Sequence, residues 1–142
     1  MNTKRLAALD IGTVRVGIAV SSPETGLAIP HSTLYLKSTP DPFSQIASTL
    51  ENLGISCVVV GWPLELDGSQ GPAIRRTKQF ILKLKAVAPH LRFAPQDERL
   101  TSAAAENTLQ AMHTQGSRKK NVVDAMAAAL ILQTYLDRKS VF

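Results

Sequence analysis

The 142-residue chain has a single cysteine, Cys57, which excludes an internal disulfide and any metal site built on several thiolates. Cys57 lies in the apolar run Cys57 to Val60 and reads as a small buried hydrophobe. No apolar run approaches the roughly 20 residues that a membrane-spanning helix needs. The opening residues MNTKR are charged and lead into no long apolar segment of signal-peptide type, so a cytoplasmic protein without a membrane partner is expected. Repeats, low-complexity tracts and linkers are also missing. One domain spanning 1–142 is expected, long enough for a sizeable core. The histidines, His31, His90 and His113, share no metal-ligand spacing. Between Gly71 and Arg92 there is no acidic residue at all, against six basic ones.

What is present is a basic α/β pattern. Sixteen Lys and Arg against 11 Asp and Glu give a net charge of +5, which favours an anionic partner, nucleic acid being the commonest. Arg118-Lys119-Lys120 forms a second basic cluster. The stretch LAALDIGTVRVGIAV predicts two paired strands with a tight connection, and Leu27 to Leu36 a third. Asp41 as N-cap with Pro42 at the first position predicts a helix that Gly54 stops. Cys57 to Gly61 reads as a strand covered on both faces. A helix is expected from about Ser69, its N-cap, to Ala88, with Ile74, Thr77, Phe80, Ile81, Leu84 and Ala88 on one stripe. Leu91 to Pro95 reads as a last strand, and further helices are expected near Thr101 and Asn121. Three strands followed by alternating strands and helices make a mixed α/β sheet.

Three carboxylates stand out. Asp10 interrupts an apolar run, Glu98 follows a strand beside Asp97, and Asp124 is the only acid at the start of an otherwise apolar helix. Two strand ends and one core-facing helix turn can converge on one sheet edge, where carboxylates repel unless a cation holds them. Such oxygen ligands suit Mg²⁺ or Mn²⁺, and two ions can clamp a phosphodiester displacement. Each acid has an alternative role. Asp10 can bond turn amides, Asp124 can cap a helix with Asn121, and Glu98 can pair with Arg99 at the surface. Asp97 points opposite to Glu98 and is at most a supporting group.

At this point four blocks become recognisable in order: Asp10-Ile11-Gly12 with Gly17; Gly61-Trp62-Pro63 with Asp67-Gly68; Asp97-Glu98-Arg99-Leu100-Thr101-Ser102; and Val123-Asp124-Ala125-Met126-Ala127-Ala128 before Ile131-Leu132. The chain resembles the YqgF (RuvX-like) family of RNase H-fold nucleases from end to end. The resemblance implies a five-stranded mixed sheet of order 3-2-1-4-5 flanked by helices. It also implies an acidic Mg²⁺ or Mn²⁺ site formed by Asp10, Glu98 and Asp124. Family members are linked to trimming the 5′ end of pre-16S ribosomal RNA, and older naming calls them Holliday junction resolvases.

Ala104 departs from a family glutamate and removes a helix-capping partner for Thr101, while Trp62 is bulkier than expected between Gly61 and Pro63. Some junction nucleases carry a fourth acid where this chain has Ala127. Asp-Ile-Gly-Thr also resembles the first phosphate loop of actin-like ATPases and sugar kinases, but no second glycine-rich phosphate loop appears.

The expected function is therefore metal-dependent cleavage of RNA, with pre-rRNA favoured over DNA junctions. Arg99, Arg118, Lys119 and Lys120 are the candidate nucleic-acid contacts. A junction resolvase, or a non-catalytic RNA-binding assembly factor, are the alternatives. A junction resolvase would act as a two-fold dimer, whereas an RNA-trimming enzyme needs no symmetry, so a monomer or weak dimer is expected.

Overall fold

The computed structural model describes residues 5–65, 67–98 and 125–140, and the side chains of residues 139 and 140 are outside that description. Its strands are β1 (Leu6–Ile11), β2 (Arg15–Ser21), β3 (Ala28–Tyr35), β4 (Cys57–Trp62) and β5 (Arg92–Asp97). Its helices are α1 (Pro42–Asn52), α2 (Pro72–Val87) and α3 (Met126–Ser140), with a short 3₁₀ turn at Leu36–Ser38. The sheet runs β3-β2-β1-β4-β5. Its first three strands are antiparallel neighbours, while β4 pairs parallel with both β1 and β5. This is the order expected from the sequence.

Alternation along the strands supplies one core on each face of the sheet. Leu9, Ile11, Val16, Ile18, Val58 and Val60 pack beneath α1 and α2, where Ile46, Leu50, Phe80 and Leu84 meet them. Ala8, Ala19 and Val59 point the other way and pack with Ala128, Ala129, Ile131 and Leu132 of α3. Fully burying one of the larger side chains is worth about 1.5–3 kcal/mol, so both layers contribute to stability. The α3 layer is built largely from alanine, which lets the helix lie close to the strands.

Local signals set most element ends. The Asp41 side chain accepts from the Ser44 amide at 3.2 Å and from the Ser44 hydroxyl at 2.8 Å, and Pro42 opens α1. Gly54 takes a φ of 72° just after α1, a left-handed conformation that glycine adopts at least cost.

Three expectations need correction. The helix expected from Ser69 begins at Pro72 with Gly71 as N-cap, because the Ser69 carbonyl, which an N-cap would offer to the helix, accepts the Glu65 amide at 3.0 Å in the preceding loop. The last strand extends to Asp97 rather than Pro95, since parallel pairing with β4 continues to Trp62 opposite Asp97. Cys57 opens β4 half-buried rather than buried. The helix expected near Thr101 lies outside the described residues, as does the start of the one expected near Asn121. Among the described residues no helix is long and apolar enough to cross a membrane.

Candidate active site

Strands β1, β4 and β5 run parallel, so their C-terminal ends share one edge of the sheet. Asp10 is the penultimate residue of β1 and sits opposite Gly17 of β2. Ala8, two residues earlier, packs under α3, and the pleat puts Asp10 on that same face. Among the described residues no turn amide is seen donating to its carboxyl. The Gly12 amide of the β1–β2 connection donates instead to the Arg15 carbonyl at 3.0 Å.

Glu98 directly follows β5 and comes to the same place. Gly61 of β4 shows how. A Cβ at Gly61 would stand 2.9 Å from Glu98 Oε2, 3.1 Å from Glu98 Cδ and 2.6 Å from Ile131 Cδ1. The missing side chain is therefore the space in which the Glu98 carboxyl lies, with α3 closing over it. Gln96, opposite Gly61 in β5, is buried beside this floor, and Arg138 of α3 donates to its Oε1 at 3.4 Å.

The electrostatics agree with the geometry. Burial raises the Asp10 pKa above its ordinary value, and the Arg15 guanidinium opposes that rise. Burial likewise raises the Glu98 pKa, with further upward pressure from the charges of Asp10 and then Asp97. Two carboxylates that repel each other in a partly dehydrated setting favour a proton or a cation. Their hard oxygen donors fit a divalent ion such as Mg²⁺ or Mn²⁺. Among the described residues no group of three His, Cys, Asp or Glu is gathered to hold a metal. Asp124 lies outside the described residues, as do Arg99, Arg118, Lys119 and Lys120. The helix that follows Asp124 in the sequence packs on the face that carries Asp10 and Glu98.

Two contributors were not singled out in the sequence. Gly61 was visible only as part of a motif, and its role depends on two distant residues meeting over it. Arg15 was visible as the lone charge between Val14 and Val20, yet the hairpin register is needed to bring it to Asp10. His31 and His90 are exposed.

The family model described as "RuvX: Holliday junction resolvase" matches residues 4–138. The chain belongs to the RuvX family. A protein of Sulfurihydrogenibium sp. (strain YO3AOP1) named "Putative pre-16S rRNA nuclease" is 40% identical over 137 residues, covering 96% of this chain and 92% of the relative. One of the same name from Acetivibrio thermocellus is 38% identical over 136 residues, covering 95% and 96%. Among solved structures, Thermus thermophilus RuvC in complex with a Holliday junction substrate aligns with a TM-score of 0.58 at 17% identity, covering 96% of both chains. Fowlpox virus resolvase with junction DNA aligns at 0.52 and 10%, covering 95% of this chain and 98% of that one. Those two likenesses show the fold, which is RNase H-like. RuvX membership and the names of the relatives place the chain among nucleases.

Proposed function

We propose that this RuvX protein is a metal-dependent nuclease that cleaves RNA, with the 5′ flank of pre-16S rRNA as its substrate class. The observation that supports the chemistry best is that Asp10 at the end of β1 and Glu98 over Gly61 come to one sheet edge, near enough for their charges to interact. The RNA assignment leans on the names of the full-length relatives.

Asp10, Glu98 and Asp124 are proposed to hold the Mg²⁺ or Mn²⁺, in a two-ion arrangement with phosphate oxygens and water as the remaining ligands. When bound, such ions supply a water of lowered pKa and positive charge against the leaving oxygen. The protein's own part is to fix the carboxylates. β1 holds Asp10 by strand pairing, and Gly61 and Ile131 bound the space of the Glu98 carboxyl. Arg99, Arg118, Lys119 and Lys120 are proposed to contact backbone phosphates. Residues 1–142 act as one domain and the protein works in the cytoplasm as a monomer or weak dimer, because trimming one RNA end requires a single cut.

The test is cleavage of a pre-16S-like RNA and of a four-way DNA junction in parallel, with Mg²⁺ or Mn²⁺, alongside sedimentation at micromolar concentration. Cuts in the single-stranded RNA flank by a monomer support the proposal. A tight dimer that nicks junctions symmetrically and spares the RNA would overturn the substrate assignment. Metal-dependent cleavage of neither would favour an assembly factor.

A further inference from the structure

Beside Asp10 the β1–β2 connection leaves an open cleft of about 290 Å³, lined by Asp10, Gly12, Thr13, Val14, Arg15 and Gly17. Strand alternation explains its shape. Val16 and Ile18 point into the α1/α2 core, so Arg15 and Gly17 share the opposite face with Asp10. Gly17, directly across from Asp10, contributes no side chain and forms a floor. Asp10 flanks that floor across the β1–β2 pair, and Arg15 stands two residues along β2 on the same face.

The base from which Arg15 projects is fixed. Its carbonyl accepts the Gly12 amide at 3.0 Å, and the Val14 carbonyl accepts the Leu36 amide at 3.0 Å. A Cβ on Gly12 would stand 2.9 Å from the Arg15 carbonyl oxygen, so the close turn requires glycine. The Arg15 side chain is exposed, and among the described residues no carboxylate forms an ion pair with it. It lies near enough to Asp10 to offset part of the effect of burial, and no hydrogen bond from its guanidinium to another of the described residues is seen. Val14, 58% exposed, adds an apolar lip, which suits a ribose or base face better than a free ion.

We propose that this cleft is a phosphate subsite in which Arg15 binds a backbone phosphate of the RNA strand entering the site, with Val14 against the adjoining nucleoside. The inference rests on the nuclease reading and deepens it. A strand approaching Asp10 and Glu98 meets negative charge. A guanidinium beside that side-chain-free floor offsets the repulsion and donates paired N–H bonds that match phosphate geometry. Arg15 is thus assigned as a binding and positioning residue.

The experiment measures binding of a single-stranded RNA across a salt series, for the wild type and for Arg15→Ala and Arg15→Lys, with cleavage assayed on the same preparations. Mn²⁺ affinity without RNA is measured in parallel, and thermal melting confirms that each variant is folded. Loss of one charge-assisted contact should weaken RNA binding roughly 10- to 100-fold and lower the salt slope by about 0.7. KM should rise more than kcat falls, and Lys should recover part of the loss. If Arg15 serves only as a counter-charge to Asp10, Arg15→Ala will shift Mn²⁺ affinity and leave the RNA salt slope unchanged, which overturns the subsite. Should Arg15→Ala misfold, the same slope comparison on Arg15→Gln decides. Failure of the parent reading looks different: the wild type would cleave no RNA, while the binding slope would still report on Arg15.

Discussion

Gly61→Ala probes the site through a single added carbon. The new Cβ would fall 2.6 Å from Ile131 Cδ1 and 2.9 Å from Glu98 Oε2, both below ordinary contact. Ile131 is 2% exposed, so its terminal methyl cannot swing out into solvent to relieve the clash. Overpacking of that kind costs about 1–3 kcal/mol. Replacing a strand glycine by alanine returns roughly 0.5–1 kcal/mol of backbone stability, so a net loss near 1–2 kcal/mol is expected. At roughly 2–4 °C per kcal/mol for a chain near this size, melting should fall by a few degrees. Activity should fall further, because a shift of about 1 Å in a positioned catalytic group can cost on the order of 100-fold.

Ile131→Val separates the two effects. It removes Cδ1, the atom in the closest clash, and leaves the crowding of Glu98 untouched. Alone it should cost about 0.5–1.5 kcal/mol. In the Gly61→Ala background the new Cβ occupies part of the vacated space, so the double variant should be more stable than the sum of the singles. Its RNA cleavage should remain low. The assay is thermal melting paired with initial cleavage rates for the three variants. Recovery of both stability and cleavage in the double variant would show that crowding Glu98 has no catalytic effect, and would refute the reasoning.

Other consequences can be measured directly. Asp10→Asn should abolish cleavage and largely preserve RNA binding, and without metal it should melt above the wild type because a buried, repelled charge is gone. The raised Asp10 and Glu98 pKa values carry a definite sign: the folded state binds more protons than the unfolded one between the ordinary values of 3.8 and 4.5 and the raised folded ones. Through that window the contribution of these groups to metal-free stability should grow as pH falls. The gain should be smaller in Asp10→Asn, and an equal gain in both proteins would assign it elsewhere. Gln133→Ala removes the acceptor of the Ala28 amide, bonded at 2.9 Å in a buried setting, and should cost about 1–3 kcal/mol by urea titration. Lys119→Ala and Lys120→Ala should each flatten the salt dependence of single-stranded RNA affinity by about 0.7. Unchanged slopes would return these lysines to a solvated segment.

The sequence was most informative where local chemistry decides. Asp41 and Pro42 start a helix by themselves, one accepting a free amide and the other needing none. Local signals were weakest where long-range pairing competes. Ser69 is an acceptable N-cap, but its carbonyl is committed to the Glu65 amide and the helix waits for Pro72. β5 outruns its apolar stretch because β4 offers partners as far as Trp62, carrying Gln96 and Asp97 into the sheet. The contribution of Gly61 was out of reach for the same reason. Nothing near position 61 in the sequence announces that Glu98 and Ile131 will meet above it.

The α3 face explains why these acids read as a site and not as part of the fold. Away from the edge it is packed with Ala8, Ala19, Val59, Ala128, Ala129 and Leu132, an apolar layer with no use for charge. Two carboxylates placed at its margin, each with its pKa raised by burial, weaken the metal-free protein at neutral pH. Replacing them with apolar groups would suit packing better. Gly61 and Gly17 also give up side-chain contacts at that edge, one beneath Glu98 and the other beside Asp10. Four positions therefore depart from what stability alone would select, and all four adjoin the same small volume. Their departures are compensated together if a divalent cation neutralises the acids there. On this account, adding Mn²⁺ should raise the melting temperature of the wild type but not that of Asp10→Asn, and by mass action the rise should grow with metal concentration.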